Sequence, residues 1–482
     1  MLRRLVSLLL LLAAPLLADE TPKPAPESWG EDVETPGKHY DRVTDSLAEE
    51  VNTLNGKVLV IWVVDGSASM KDDREAVRDR LRRFMDAVDA RRVTLRMAVW
   101  GFGEEAVETQ GPTTDVEKVM KGLPSAPLDE SGRENCMAAA LAATRRYSGL
   151  ADQKFIVLLT DERGDDDRRV ESLIQTFRNR HVRVSCIGRE ACFASRSVYE
   201  VAEGRLVPVD AGPEAPGPEV LGLAETCLSI GAGLETPQEI PSGFGCWAQE
   251  RLCRQTGGHY YPFRSGALRG GRGPSYDRSL LDARYAPSWE ARAEWEAWRD
   301  GAPLARACLE VMRVVVRLPV PSFFCQRNEE APGWLRRTAE TAHARRKSLN
   351  ELSTALAKAR QEAEGVELPE RARAAAQLLQ AQLRYMIWDA AELEDSVEAL
   401  LKAPLPTLRG TQGLLLELPD GEGSRNAAPL RENARLALDQ AAQDRAGTPW
   451  AAMARAYRLG GPWRLKVVNI GPTGPRPRTP GL

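Results

Sequence analysis

The chain has 482 residues, of which 43% are hydrophobic, and a formal net charge of −3. This length is enough for about two or three domains, and the apolar content supports a sizeable core, which argues against global disorder. Charge is nearly balanced and no cluster of lysine and arginine is interleaved with aromatic residues, so the sequence gives no support for nucleic-acid binding.

The N-terminus has the pattern of an export signal. Arg3 and Arg4 precede the apolar run "LVSLLLLLAAPLLA", and Ala18 is the candidate last residue before cleavage. We therefore expect residues 1–18 to be a signal peptide and the mature chain to be secreted or periplasmic. An uncleaved membrane anchor is the alternative, although the run is short for a bilayer span. No later stretch is long and apolar enough to suggest a span in the mature chain.

Residues 19–40 are acidic and rich in proline, which predicts an extended linker. From residue 41 the chain alternates apolar strands with amphipathic helices. The predicted strands are "KVLVIWVVD", "RVTLRMAVWGFG", "KFIVLLTDE" and "VRVSCIG". The predicted helices between them are "REAVRDRLRRFMDAVD", "TTDVEKVMKGL" with Thr114 as N-cap, "ENCMAAALAATRRYSG" and "DDDRRVESLIQTFRNRH". Near-continuous apolar strands that alternate with helices indicate an α/β fold with a mainly parallel sheet covered on both faces.

The alternation of strands and helices stops at residues 189–245, which are rich in glycine and proline and are interpreted as an insertion. "WAQERLCRQTGGHYYPF" restores a helix, a turn and a strand, so the first domain, residues 41–265, is expected to close there. Residues 266–280 are predicted to be a second linker.

The remainder, residues 281–465, is predicted to be mostly α-helical. Residues 333–364 and 369–403 are two long amphipathic segments separated by "GVELP", which predicts an antiparallel helical hairpin. Tryptophans at 289, 295 and 298 are interpreted as core anchors rather than as a ligand platform. Residues 466–482 are predicted to be a disordered tail.

The chain contains eight cysteines. With an export signal, an even number of cysteines favours disulfide bonds, and the absence of CxxC pairs disfavours zinc ribbons. Cys308 with Cys325, and pairs among the cysteines between residues 186 and 253, are the candidate bonds. Buried free thiols are the alternative.

Oxygen ligands follow two of the apolar strands. Asp65, Ser67 and Ser69 stand in "VVDGSASM" after the first strand, and Asp161 stands in "LLTDE" after the third. Because the carboxyl ends of parallel strands gather functional groups at one edge of an open sheet, we expect these side chains to lie close together. Carboxylates and hydroxyls suit Mg²⁺, Ca²⁺ or Mn²⁺ rather than zinc or copper. A helix N-cap role for Asp65 is the alternative.

At these motifs the chain resembles the von Willebrand factor A (vWA) family. "VVDGSASM" is similar to the family's DxSxS metal-ion-dependent adhesion motif (MIDAS), "LLTDE" to its later aspartate loop, and "CRQTGGHYYPF" to its closing helix-turn-strand. The resemblance covers about residues 57–265 outside the insertion. It implies a vWA (Rossmann-like) domain in which Asp65, Ser67 and Ser69 hold the metal, directly or through water, and Asp161 completes the site.

The third loop that would contribute a ligand to the site departs from the family pattern. The family usually contributes a Thr from a middle loop, but the matching stretch "DESGRENCMAAAL" has none. Glu134 stands at the matching position, and Ser131 is the other candidate. A Glu adds negative charge, which favours Ca²⁺ or tighter ion binding and reduces the attraction of the ion for an acidic partner. It also offers an internal mimic of a partner's carboxylate.

No enzymatic constellation accompanies these motifs. The four histidines form no HExxH pattern, and the sequence has neither a GxSxG elbow nor a phosphate-binding loop. We therefore predict a non-enzymatic protein whose divalent cation, Mg²⁺ or else Ca²⁺ or Mn²⁺, supports recognition of a protein partner, through an acidic residue that completes the metal site. A structural envelope protein whose metal only stabilises the loops is the alternative, and a metal-dependent hydrolase is less favoured. The oligomeric state is left open.

Overall fold

The structure is a computed structural model. It describes residues 36–126, 129, 131–192, 199–202, 205–208, 241–263, 283–315, 317–319, 324–325, 330–402, 412–417, 424–458 and 464–469. The predicted signal peptide, the second linker and most of the predicted insertion lie outside the described residues, as does Cys227.

Strands of the first domain build a seven-stranded central sheet and a separate two-stranded one. They are β1 (Gly56–Asp65), β2 (Val93–Phe102), β3 (Ala106–Thr113), β4 (Gln153–Thr160), β5 (Val182–Cys192), β6 (Tyr199–Ala202), β7 (Arg205–Pro208), β8 (Pro241–Gly245) and β9 (Tyr260–Phe263). The central order is β3-β2-β1-β4-β5-β8, with β9 also paired to β5, and β6 pairs β7 in the small sheet. Strands β1, β2, β4, β5 and β9 are parallel, whereas β3 and β8 pair antiparallel. The prediction of a mainly parallel α/β sheet is thus confirmed.

Helices cover both faces of this sheet. They are α1 (Pro36–Asn52), α2 (Lys71–Arg78), α3 (Leu81–Ala87), α4 (Val116–Gly122), α5 (Cys136–Arg146), α6 (Val170–Asn179) and α7 (Trp247–Thr256). Helix α1 begins at Pro36, so the first linker is shorter than the predicted residues 19–40. Helices α2 and α3 replace one predicted helix. Helix α4 is capped by Asp115, whose side chain accepts the Glu117 N–H, and not by Thr114.

The insertion was also predicted too wide. Strand β5 continues to Cys192, and β8 at residues 241–245 returns to pair with it. Residues 189–192 and 241–245 therefore belong to the sheet. The apolar prediction for β5 stopped at Gly188 because the polar residues Arg189 and Glu190 follow it.

The centre of the sheet is fixed by strand β1. Its alternating side chains enter two hydrophobic clusters: Val60, Trp62 and Val64 pack with α1 to α4, and Ile61 and Val63 pack with α5 to α7. Each of these side chains is at most 2% exposed. Burial of a Val or Ile side chain stabilises the fold by about 1.5–3 kcal/mol, so the last residue of β1 is delivered to a fixed place.

The C-terminal region is mostly helical. Its helices are α8 (Arg292–Gly301), α9 (Pro303–Val315), α10 (Ala331–Glu362), α11 (Glu370–Lys402), α12 (Ala428–Asp444) and α13 (Pro449–Arg458). Helices α10 and α11 pair in opposite directions, since Gln380 donates to Ser353 Oγ at 2.7 Å while Glu394 meets His343 at 2.8 Å. The predicted hairpin is therefore present. Within the described ranges, no helix is long and apolar enough to cross a membrane.

A three-stranded sheet in this region was not predicted. It contains β10 (Phe324–Cys325), β11 (Gln412–Glu417) and β12 (Arg464–Asn469), in that order. Strand β12 overlaps the segment predicted to be a disordered tail, so that prediction is wrong for residues 466–469. Residues 470–482 lie outside the described part of the chain.

The helical region packs against the α5–α7 face of the sheet domain. Trp295 and Leu304 share a hydrophobic cluster with Trp247 of α7. Arg251 of α7 forms a two-bond ion pair with Glu171, at 2.7 and 2.9 Å, and also donates to the backbone oxygen of Trp289. These contacts join the two regions into one continuous core, which supports the interpretation of the tryptophans as core anchors.

The predicted disulfide bonds are not formed by the cysteines whose side chains the structure describes. These residues, Cys136, Cys186, Cys246, Cys253 and Cys308, are free, and four of them are buried. The proposed bond between Cys308 and Cys325 is therefore wrong in this structure: Cys308 lies 1% exposed inside the interface core. Burial raises the pKa of the Cys308 thiol to about 12, which makes it a small apolar core residue.

Candidate metal centre

The site forms where strands β1 and β4 end side by side. The register pairs Val64 of β1 with Leu159 of β4, so Asp65 lies level with Thr160, and Asp161 follows at once. Two apolar strands thus place Asp65 and Asp161 on the same edge of the sheet, as the sequence predicts. Asp65 is fully buried, whereas Ser69 is exposed at the surface of the loop.

The carboxylate of Asp65 is held by its neighbours. Its Oδ1 accepts the Ser67 N–H at 2.7 Å, and its Oδ2 accepts the Thr160 hydroxyl at 2.8 Å. The Ser67 and Ser69 hydroxyls lie 3.0 Å apart. Asp65 is not an N-cap, because α2 begins only after Met70. The loop therefore carries one buried carboxylate and a close pair of hydroxyls at the end of β1.

Glu134 joins this group from a third loop. One ligand oxygen from each of Asp65, Glu134 and Asp161 lies within 4.8 Å of the others. Glu134 is only 7% exposed. By contrast, Ser131, the other candidate for the third ligand position, is exposed, and its hydroxyl accepts the Arg133 N–H at 3.1 Å. Glu134, and not Ser131, is therefore the third residue of the carboxylate group.

The loop after Asp161 fixes the position of Glu134. Asp165 Oδ2 accepts the Glu134 N–H at 2.8 Å, and the Asp165 N–H donates to the Glu134 backbone oxygen at 2.8 Å. Asp166 accepts the N–H groups of Met137 and Ala138 and so caps the N-terminus of α5. Asp165 and Asp166 thus form a clamp on the Glu134 loop. They lie in the stretch "DERGDDDRR", residues 161–169, which in the sequence looks like a solvated helix start.

Glycine is required at one point of this clamp. Gly164 has φ of +81°, and a Cβ there would lie 2.6 Å from Cys136 Sγ. Gln249 of α7, which is fully buried, supports the same loop because its amide donates to the Glu162 backbone oxygen at 2.7 Å. Helix α7 is thereby connected to the residue that follows Asp161.

A buried arginine lies beneath the first loop. Arg74 of α2 is 5% exposed and donates through Nη1 to the backbone oxygens of Asp65 and Ser67, at 2.5 and 2.8 Å. Its guanidinium attracts the carboxylates of Asp65 and Asp161. It therefore shapes the loop and partly offsets the negative charge above it.

The electrostatics of the three carboxyl groups favour a bound cation. Burial and the negative charge of Asp65 raise the pKa of Glu134 to about 10. Burial, followed by the charge of Asp65, also raises the pKa of Asp161 above its ordinary value. Without a cation, Glu134 therefore holds a proton at neutral pH and hydrogen-bonds to Asp65.

Two buried oxygens of this group lack a hydrogen-bond donor. Glu134 Oε2 and Asp161 Oδ1 have no hydrogen-bond partner within the part of the chain that the structure describes. Buried polar atoms without a partner are costly, and a divalent cation would satisfy both at once. The all-oxygen donor set fits a hard ion such as Mg²⁺, Ca²⁺ or Mn²⁺.

Three residues that support the site were missed in the sequence. Thr160 could have been noticed, because it directly precedes Asp161 in "LLTDE". Arg74 could only have been placed by the turn from the loop into α2. Asp165 reaches Glu134 across 31 residues of sequence, a distance that no local pattern reveals.

Comparison with known family models supports this fold. Residues 60–202 match the family model of the von Willebrand factor type A domain. The chain therefore contains a vWA domain, followed by a helical region. No curated protein matches the sequence.

Similar solved structures cover the chain only in part. One is BatB, a conserved hypothetical protein from Bacteroides thetaiotaomicron, at 16% identity and a TM-score of 0.26, covering 43% of this chain and 91% of its own. A second is proximal thread matrix protein 1 from the mussel byssus, with a zinc-occupied MIDAS motif, at 17% identity and a TM-score of 0.24. The match to that mussel protein covers 28% of this chain and 36% of the mussel chain. A third is the manganese-loaded TRAP protein of Plasmodium vivax, at 18% identity and a TM-score of 0.23, covering 28% of this chain and 58% of its own.

Proposed function

We propose that this chain is an exported, non-enzymatic vWA protein that binds a divalent cation through Asp65, Ser67, Ser69, Glu134 and Asp161. Mg²⁺ is the first candidate, and Ca²⁺ and Mn²⁺ are the alternatives. The loaded edge of the sheet then binds a protein partner. The observation that carries the cation site is the convergence of three carboxylates with two buried oxygens that lack a donor.

The contacts around the site support binding rather than turnover. Asp65 is held by Ser67 and Thr160, and the backbone of Glu134 is held by Asp165. Such a rigid ligand set suits the retention of an ion, whereas metal hydrolysis needs an activated water and open positions. The matching vWA family model at residues 60–202 supports a role in protein interaction.

A stabilising role for the cation is the second candidate. The ligands come from three loops, after β1, before α5 and after β4. One ion would therefore join three segments that are distant in sequence, even without a partner.

The first test is thermal unfolding of the full chain in EDTA and with each cation. At a concentration about one hundred times the dissociation constant, a cation stabilises the folded state by about 2.7 kcal/mol. Asp65→Asn is expected to lose this response, and Asp72→Asn, an exposed acid on α2, is expected to keep it. An unchanged melting temperature of the wild type with all three ions would refute the cation site.

The second test separates the two roles. The chain is used as bait against proteins of its native envelope, with Mg²⁺ or with EDTA. A partner retained with Mg²⁺ and lost both with EDTA and with Asp65→Asn supports recognition. A cation response in unfolding without any such partner supports the stabilising role.

A further inference from the structure

A polar seam lies along the pairing of helices α10 and α11 in the helical region. Its members are Ser353, Arg360, Gln380 and Arg384. Gln380 donates to Ser353 Oγ at 2.7 Å, which fixes the level at which the two helices face each other. Arg360 follows Ser353 by seven residues and Arg384 follows Gln380 by four, and these spacings place each arginine on the same helix face as its seam neighbour. The seam therefore carries an arginine from each helix of the hairpin.

Helix α12 adds a third arginine and a neutral acceptor beside the seam. Arg445, which ends α12, donates to Gln377 Oε1 at 2.9 Å and to Glu370 Oε2 at 2.7 Å. Arg384 donates to Asn433 Oδ1 at 3.1 Å. Arg445 thus has a carboxylate partner, whereas Arg384 has only a neutral one in the part of the chain that the structure describes.

Arg360 is the least compensated of the three arginines. It is half-buried and lies near Cys308 of α9, which is 1% exposed. Across the described ranges its guanidinium makes no hydrogen bond or ion pair. Burial, followed by the charge of Arg384, lowers the pKa of Arg360, and the charge of Arg445 acts in the same direction. The acid that opposes these effects, Glu364, is exposed beyond the end of α10.

The charges of the seam favour an anion from outside. A partly desolvated charge without a counter-charge is costly, and like charges that are held close repel each other. A guanidinium presents a planar fork of N–H donors that matches the oxygens of a carboxylate or a phosphate. One oxyanion between Arg360 and Arg384 would therefore offset the repulsion and give both side chains an acceptor.

We propose that Arg360 and Arg384 form an oxyanion site in the α10–α11 hairpin, which binds a small ligand through its phosphate or carboxylate group. Asn433 holds the Arg384 guanidinium in position, and Arg445 adds positive charge from its ion pair with Glu370. The site does not depend on the proposed cation site, and it gives the helical region a ligand of its own.

The test is thermal unfolding of the full chain in a chloride buffer, with inorganic phosphate or succinate titrated up to about 5 mM at constant ionic strength. At least one of the two anions is expected to raise the melting temperature of the wild type. A larger rise with phosphate identifies a phosphate ligand, and a larger rise with succinate identifies a carboxylate ligand. Arg360→Met and Arg384→Met are each expected to weaken binding of that anion at least about tenfold. Arg336→Met, at an exposed arginine of the same helix α10, is the matched control and should keep the wild-type response.

Stability in chloride alone separates a binding role of Arg360 from a structural one. Arg360→Met should be at least as stable as the wild type there, because Met keeps an apolar stem and removes an unpaired charge. A lower melting temperature of this variant in chloride would overturn the inference. So would a wild type that responds to neither anion, or a response of equal size in the wild type and both seam variants, since that is a general effect of the anions on the protein surface.

Discussion

Replacing Glu134 by Gln tests the electrostatics of the site in the absence of a cation. The pKa of Glu134 is raised to about 10 from an ordinary value of 4.5, because of burial and the charge of Asp65. Below pH 4.5 both the folded and the unfolded states hold the proton. Above it the unfolded state releases the proton while the folded state keeps it, so the folded state loses stability as pH rises towards 10.

The size of this pH dependence follows from the single Glu134 proton that the folded state keeps and the unfolded state releases. The free energy of unfolding should fall by about 1.4 kcal/mol per pH unit from this group, or by about 2.7 kcal/mol between about pH 5.5 and 7.5. Glu134→Gln keeps a hydrogen-bond donor towards Asp65 but does not titrate. The variant should therefore lack this part of the pH dependence and be more stable than the wild type at pH 7.5 in EDTA.

The assay is urea unfolding of both proteins in EDTA at several pH values, with Glu117→Gln as a control on an exposed acid. Saturating Mg²⁺ at pH 7.5 should reverse the order, because the wild type then gains a ligand that Gln does not supply. Parallel pH curves of wild type and Glu134→Gln in EDTA would refute the reasoning.

Three other substitutions test the supports of the site and of the interface. Arg74→Met leaves the backbone oxygens of Asp65 and Ser67 without their donor and should lower the free energy of unfolding by about 2–4 kcal/mol in urea; a loss below about 1 kcal/mol would contradict this. Thr160→Val removes the hydroxyl from the Asp65 carboxylate and should cost about 1–3 kcal/mol by calorimetric unfolding, and equal stability would argue against the contact. Arg251→Met removes the donor to the Trp289 backbone oxygen of the helical region, together with the ion pair to Glu171 inside the sheet domain, and should lower the melting temperature and speed proteolysis; unchanged proteolysis would show that the interface does not depend on Arg251.

Much of the sheet could be predicted from the sequence. The apolar runs of β1 and β4 are unambiguous because both faces of these strands are buried, and the acids that follow them mark one edge of the sheet. The long hairpin of α10 and α11 was equally clear, since each helix is amphipathic over more than thirty residues. In these elements the local pattern and the tertiary environment agree.

Other elements had no local signal. Strand β3, "AVETQGPT", contains Gly and Pro, lies at the edge and is mostly half-exposed, so it shows neither a continuous nor an alternating apolar pattern. Strand β12 depends on pairing with β11, about fifty residues away in sequence. The contacts of both strands are set by the fold and not by their own residues.

The three carboxylates that lie together could be named from the sequence, but their arrangement could not. Asp65 and Asp161 follow from the strand ends, and Glu134 follows from the resemblance of the middle loop to that of the vWA family. The clamp by Asp165 and Asp166 could not be predicted, because its acids occupy a charged run that is typical of a solvated helix start. Only the fold shows that they face the N-terminus of α5.

The most direct test of the cation site is calorimetric titration of Mg²⁺ at about pH 7.5 in two buffers that differ in ionisation enthalpy. Since Glu134 holds a proton in the metal-free protein and must lose it to bind the ion, binding should occur at one site with release of up to one proton. Asp65→Asn should abolish the heat, and Glu134→Gln should abolish the proton release. Binding by the wild type that is unchanged in Asp65→Asn, or no binding of Mg²⁺, Ca²⁺ or Mn²⁺ at all, would contradict the account.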